Sequence, residues 1–241
     1  MILVLGETYD SLLGLHSLIG KSDGIESLVN DLPGFIGEYN GEPIVGISSG
    51  TSDYLSAIST TKAIERYKPR LIFSLGESSS ISSLLKLGDL VIGNRIFIHG
   101  VNFASSGVAY GAIPGFNPHY FSDITLARIA EETAMGMGEI RATRGDILSG
   151  EKKIVDQEEF TSIFLRHYGS MGHLLCYDCT SGGVALASTI AKVPFLPIKA
   201  ITYLPLEGEE GVLKERRISL NANINAAKLI LEILKQEEVA L

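Results

Sequence analysis

The chain has 241 residues, 45% hydrophobic and 20% charged, a balance that suits one large α/β domain with a substantial core. With 28 acidic against 20 basic residues its formal charge is -8, which argues against a surface that neutralises nucleic-acid phosphates and leaves no basic amphipathic face for anionic lipid. No run approaches the ~20 apolar residues of a membrane span, Met1 to Leu5 is too short for a signal segment, and two cysteines make no disulfide framework, so a cytoplasmic address is expected.

The first short apolar run, Ile2 to Leu5, predicts a strand that enters structure at once. Ile44 to Ile47 predicts a second strand. Ser52 to Tyr67 then predicts a helix, with Tyr54, Ala57, Ile58, Thr61 and Ile64 on one face. Strands follow at Leu71 to Leu75 and Leu90 to Ile92. Gly107 to Pro118 is a Gly- and Pro-containing loop whose Tyr110, Pro114 and Phe116 can wall a pocket. Ser122 is placed to cap a helix carrying Leu126, Ile129 and Ala130, and Asp156 to Tyr168 is rich in helix formers. The strands His173 to Cys176 and Phe195 to Ile201 flank a small-residue helix, Gly183 to Ala191. Ile224, Ala227, Leu231 and Leu234 give a last helix, with a charged tail at Lys235 to Glu238.

Strands alternating with helices imply a mixed, largely parallel central sheet covered by helices on both faces, one domain over residues 1–241. Ligands in such sheets sit beyond the carboxyl ends of the strands. That selects Gly6 to Ser11, Ser48 to Asp53, Gly76 to Ser80, Ser149 to Ile154, Asp178 to Gly183 and Thr202 to Leu206. Asp178 to Gly183 lacks the Gly-Lys-Ser/Thr ending of a phosphate loop, although small residues before a helix can receive an anion. Cys176 and Cys179 form a C-x-x-C, open to a redox or metal role or to simple burial at a strand end. The five histidines show no metal-binding spacing; a solvated role is expected for His99 and His119 beside the loop. No G-x-S-x-G elbow supports serine hydrolysis. No cofactor or metal is called for.

Seven segments in one order resemble the nucleoside phosphorylase superfamily, above all its 5'-methylthioadenosine/S-adenosylhomocysteine nucleosidases. They are Ile2 to Gly6; Asn40-Gly41-Glu42 with Ile44 to Gly50; Lys68-Pro69-Arg70 through Gly76; Leu87-Gly88-Asp89 through Ile92; Ile113-Pro114-Gly115; Arg144-Gly145 through Ser149-Gly150; and Val193-Pro194-Phe195 through Lys199-Ala200-Ile201. The resemblance implies that family's fold and a pocket at the strand ends that includes Ser49, Gly50 and Gly76. It implies a homodimer or higher homo-oligomer in which the loop with Tyr110 and Pro114 closes the neighbouring subunit's pocket. It also implies a small-molecule nucleoside or related ligand as partner.

Breaking a ribose–base bond passes through an oxocarbenium-like sugar. It needs a proton for the base and an activated water, jobs that carboxylates usually perform. Carried across by resemblance, the leaving-group Asp position holds Tyr203, a weaker acid with an ordinary pKa of ~10. The water-activating Glu position falls on Ser11, with Asp10 beside it as a candidate base or as the cap of a helix from Ser11 to Ile19. The family's Glu-Met-Glu run becomes Asp178-Cys179-Thr180, so Thr180 stands where a carboxylate grips ribose. Asp178 and Thr180 are equally placed to cap the following helix. The purine-stacking Phe becomes Lys153, followed by Ile154. Glu77 stands where the family has Ser and would repel phosphate, so water is the expected acceptor. Asp10, Asp178 and Tyr203 are therefore the candidate proton-transfer groups. Ser49, Gly50, Gly76, Glu77, Ile154, Cys179 and Thr180 are the candidate substrate contacts. The expected activity is N-glycosidic hydrolysis of a purine nucleoside or thio-nucleoside; the alternative is a catalytically silent relative that binds a small ligand or serves as a structural partner.

Overall fold

The computed structural model describes every residue except 20, 23–25, 30, 153–156, 172, 206–214 and 240–241. In chain order the strands are β1 (Ile2–Gly6), β2 (Lys21–Ser22), β3 (Glu26–Val29), β4 (Leu32–Tyr39), β5 (Glu42–Ser48), β6 (Leu71–Ser80), β7 (Leu90–Ile98), β8 (Tyr120–Phe121), β9 (Ala142–Ser149), β10 (Leu174–Asp178) and β11 (Phe195–Tyr203). The helices are α1 (Tyr9–Leu18), α2 (Asp53–Tyr67), α3 (Ile124–Met137), α4 (Gln157–Glu159), a π-helical turn at Phe160–Leu165, α5 (Arg166–Tyr168), α6 (Ser181–Ala191) and α7 (Glu215–Ile233).

The strands run β10-β9-β7-β11-β6-β1-β5-β4-β2 across one mixed sheet, with β3 on β4 and β8 on β7. β1 is parallel to both β5 and β6, and β11 is parallel to β6. β6 is ten residues long and outruns its neighbours. Its far end pairs with β10, Ser79 facing Tyr177 and Ser80 facing Cys176. That pairing closes β6, β11, β7, β9 and β10 into a ring, a barrel-like end that draws the carboxyl ends of β10 and β11 together.

Side-chain alternation explains why the strands read as continuous apolar runs. Ile2 and Val4 pack with α1, α3 and α7, while Leu3 and Leu5 pack with Val184 and Ala185 of α6 on the other face. Ser52 caps α2 by accepting from the amides of Tyr54 and Leu55 at 3.1 and 3.2 Å. α2 ends at Lys68 in a left-handed conformation before Pro69. The cap of α3 is Asp123, which accepts from Thr125 and Leu126, and not Ser122, which is buried one residue earlier. α1 begins at Tyr9, so Asp10 lies inside its first turn and does not cap it. The expected start of the fourth helical stretch, Asp156, lies outside the described residues. No helix among the described residues is long and apolar enough to cross a membrane.

α2 and α6 cross almost backbone to backbone. A Cβ on Gly183 would lie 2.0 Å from the Asp53 carbonyl oxygen and 2.3 Å from Ser56 Oγ. Gly183→Ala is therefore expected to destabilise the fold by about 1–3 kcal/mol through overpacking. Gly136→Ala, where an added Cβ meets nothing within 4 Å, is expected to stabilise by about 0.4–1 kcal/mol. Urea unfolding of the two variants checks both signs.

Candidate active site

The ends of β1, β6, β10 and β11 surround a cavity of about 370 Å³, within the range of small-molecule sites. Glu7, Glu77, Glu151, Asp178, Cys179 and Tyr203 are among its lining residues. Beneath it lies the most buried charge pair among the described residues. Lys199 Nζ and Asp178 Oδ2 stand 3.0 Å apart, with side-chain exposures of 0% and 1%. The ammonium also donates to Thr180 Oγ1 at 3.0 Å and Ser74 Oγ at 3.3 Å, so each of its three hydrogens has an acceptor.

Asp178 is equally well supplied. Oδ1 accepts from Ser149 Oγ (2.7 Å) and from the amides of Thr180 (3.3 Å) and Ser181 (3.1 Å). Oδ2 accepts from Ser181 Oγ at 2.5 Å. Burial pushes this carboxyl up, but the Lys199 ammonium, followed by the Ser181 and Ser149 hydroxyls, outweighs it and holds Asp178 below its ordinary value. Thr180 is the N-cap residue of α6 and makes no side-chain cap bond; Asp178, two residues earlier, takes the amides of Thr180 and Ser181 and still lines the cavity. The next amides of α6 are also taken. Gly182 donates to Ser149 Oγ and Gly183 to Asp53 Oδ1, both at 2.9 Å. The start of this helix therefore serves the chain's own side-chain oxygens and offers these amides to no incoming anion.

Glu7, which the sequence reading did not single out, stands directly after β1. Burial, against the pull of Lys199 and with the push of Asp178 and Glu77, raises its carboxyl above the ordinary value. Its Oε1 is 3.8 Å from Cys179 Sγ. A Cβ on Gly76 would come within 3.4 Å of both the Glu7 carboxyl and Lys199 Nζ, so Gly76 is where a bare backbone lets acid and ammonium close over the strand. The signal for Glu7 was positional: the first residue past the carboxyl end of a central parallel strand.

The remaining expected residues divide. Glu77 lines the cavity and hydrogen-bonds to Thr202 Oγ1 at 3.1 Å and to Ser219 Oγ. Ser49 is buried behind it and donates to the Gly6 carbonyl at 3.1 Å, while Gly50 makes the turn into α2 with φ +87°. The Thr180 hydroxyl is buried on Lys199 and is not among the lining groups. Asp10 is exposed and faces a neighbouring cavity with Thr8, Glu77 and Asn223. Ile154 lies outside the described residues. Tyr110 stacks on His167 of its own chain at 3.6 Å, leaving Pro114 and Phe116 exposed on the loop. Burial pushes the thiols of Cys176 and Cys179 up to about 12, so neither is a thiolate at neutral pH. His99, expected in solvent, is buried; that burial lowers it to about 4.

A family model described as "Phosphorylase superfamily" matches residues 9–235. The 5'-methylthioadenosine/S-adenosylhomocysteine nucleosidase of Bacillus subtilis is 26% identical over 200 residues, 83% of this chain and 84% of its own. The nucleosidase of that name from Neisseria meningitidis, solved with methylthio-immucillin-A, superimposes with a TM-score of 0.87 at 22% identity over 97% of this chain and 98% of its own. Helicobacter pylori futalosine hydrolase superimposes with a TM-score of 0.86 at 18% identity over 97% and 96%. These likenesses bear out the fold expected from the sequence.

Lys199→Met should leave Asp178 with an uncompensated buried charge and cost about 3–5 kcal/mol near neutral pH. In the wild type the depressed value of Asp178 contributes stability above its ordinary 3.8 that is lost as pH falls through the folded value. Without Lys199 the carboxyl takes up a proton at higher pH, so the deficit narrows on acidification. Urea melts of both proteins at about pH 5 and pH 8 read that convergence.

Proposed function

The chain belongs to the phosphorylase superfamily, and from that premise we propose that it is a nucleosidase-type hydrolase, cleaving the N-glycosidic bond of a purine nucleoside or thio-nucleoside with water as acceptor. The observation that carries this reading is the strand-end cavity, where Glu7, Glu77, Glu151, Asp178 and Tyr203 converge above Lys199. A pocket walled by carboxylates disfavours phosphate and stabilises positive charge developing on the sugar. Glu7, with its raised proton affinity, is suited to take a proton from water near neutral pH. In this reading it fills the role expected of Asp10, which faces another cavity. Asp178, held ionised by Lys199, places a fixed negative charge beneath the sugar. Tyr203 is the donor to the leaving base.

A second reading, a ligand-binding relative without turnover, is favoured by two observations. Tyr203 stands where the resemblance calls for an Asp, and the Thr180 hydroxyl is engaged with Lys199.

The proposal includes a second copy of the chain as partner. Tyr54 and Ile58 of α2 and Ile190 of α6 leave 72%, 50% and 61% of their surfaces exposed, and Tyr54 lines a cavity with Tyr110 and Ile113 of the Gly107 to Pro118 loop. Light scattering after size exclusion is expected to give a dimer or larger assembly for the wild type and a monomer for Ile58→Glu/Ile190→Glu. A monomeric wild type overturns the assembly.

Incubation with 5'-methylthioadenosine, S-adenosylhomocysteine, adenosine and inosine, followed by chromatography, is expected to show free base from at least one of them. Glu7→Gln should slow that release about 10²–10⁴-fold. A ligand-induced rise in melting temperature with no free base establishes the second reading. Neither base nor melting shift overturns both.

A further inference from the structure

Behind the strand-end cavity, the first residue of α2 meets the last residue of β9. Ser149 Oγ, fully buried, lies 2.9 Å from Asp53 Oδ1 and 2.7 Å from Asp178 Oδ1, and accepts from the Gly182 amide at 2.9 Å. A hydroxyl carries one hydrogen and two lone pairs. It can donate to one of the two carboxyls, so the other contact is a hydrogen bond only if that carboxyl supplies the hydrogen.

The surroundings decide which carboxyl is protonated. Asp178 is encircled by donors: Ser149, the Thr180 and Ser181 amides, the Ser181 hydroxyl and the Lys199 ammonium. It holds the charge. Asp53 Oδ1 accepts from the Gly183 amide at 2.9 Å, but its Oδ2 is buried with no hydrogen-bond partner among the described residues. An unpartnered oxygen is costly on a carboxylate and far less so as the carbonyl of a neutral acid. With the proton on Asp53 Oδ1, that oxygen donates to Ser149, Ser149 donates to Asp178, and both Ser149 lone pairs are used.

We infer that Asp53 carries the proton of a buried carboxyl pair and acts through Ser149 as a positioning residue for Asp178. The positioning role rests on reading the strand-end cavity as the active site; the location of the proton does not. Loss of the proton would set a second negative charge against Asp178 and divide the single Ser149 hydrogen between two acceptors.

Charged and titratable groups face Asp53 from each neighbouring element. Glu151, after β9, accepts from the Asp53 amide at 2.7 Å. Tyr177, Asp178 and Cys179 approach from β10, with Lys199 of β11 behind Asp178. His99 and Lys152 stand across a second cavity, of about 400 Å³, that Asp53 also lines. Burial first, then the Asp178 charge, raises Asp53 to about 7, against the opposing pull of the Gly183 amide and Ser149. The folded value exceeds the ordinary 3.8, so folding takes up a proton between the two, and Asp53 makes stability fall as pH rises through that window.

The test is a carbon-13 titration of the intact protein with labelled aspartate carboxyls. One resonance, absent in Asp53→Asn, is expected to titrate near 7, and the Asp178 resonance should move in step with it. In Ser149→Ala that coupling should weaken to what the two charges exert through space. In parallel, the wild type should lose stability relative to Asp53→Asn, which mimics the neutral acid, as pH rises from about 4 to about 7. An Asp53 resonance that titrates near 3.8, or stability curves that run parallel, overturns the proton assignment. An Asp178 resonance indifferent to Asp53 overturns the positioning role. None of these readouts needs turnover, so failure of the hydrolase reading would leave them intact.

Discussion

An ammonium and a carboxylate, both withdrawn from water, meet at 3.0 Å where two strands end. Each alone would be costly to bury, and their attraction offsets that cost only because every remaining hydrogen and lone pair between them is answered. The pair and its answering groups come from five parts of the chain: Ser74 on β6, Ser149 on β9, Asp178 on β10, Thr180 and Ser181 entering α6, and Lys199 on β11. None of these is close to all the others in sequence. The closure of β6 onto β10 brings them together, so sheet topology and site electrostatics are one constraint seen at two scales.

That constraint shapes the chemistry above it. Asp178 is fixed as an anion by the Lys199 ammonium and its other donors, so it does not take up a proton readily. Glu7 lies at the same strand ends, buried enough to bind a proton more tightly than an exposed glutamate, and feels both charges. Asp53, one hydroxyl further back, is the neutral member of the set. Acids held at different proton affinities by different surroundings are the usual basis for dividing acid and base roles in a hydrolytic site.

The strands and most helices were legible because their signal is local. Ile2–Gly6 and Phe195–Tyr203 are apolar on both faces, and α2, expected from Ser52 to Tyr67, runs Asp53–Tyr67. β4 and β9 escaped notice. Leu32–Tyr39 is partly exposed and broken by Pro33 and Gly34, and Ala142–Ser149 opens with polar residues before its buried half. Of the residues lining the candidate site, Asp178, Cys179, Tyr203 and Glu77 were expected from strand ends and from resemblance. Glu7 was missed because matching by resemblance led past it to Asp10 and Ser11. Asp53 and Lys199 were missed because a charged residue at a helix start, or inside an apolar strand, reads as a cap or a departure until a third element supplies its partner. Their meaning depends on contacts across 96 residues for Asp53 and Ser149, and 125 for Lys199 and Ser74.

The central claim is that the cavity above Asp178 and Lys199 is where a nucleoside sits. A crystal structure after soaking with 5'-methylthioadenosine tests it most directly. The account predicts density for the nucleoside, or for its freed base, bounded by Glu7, Asp178 and Tyr203, with Lys199 still paired to Asp178. An empty strand-end cavity with the nucleoside seated elsewhere, or a Lys199 side chain turned away from Asp178, would contradict it.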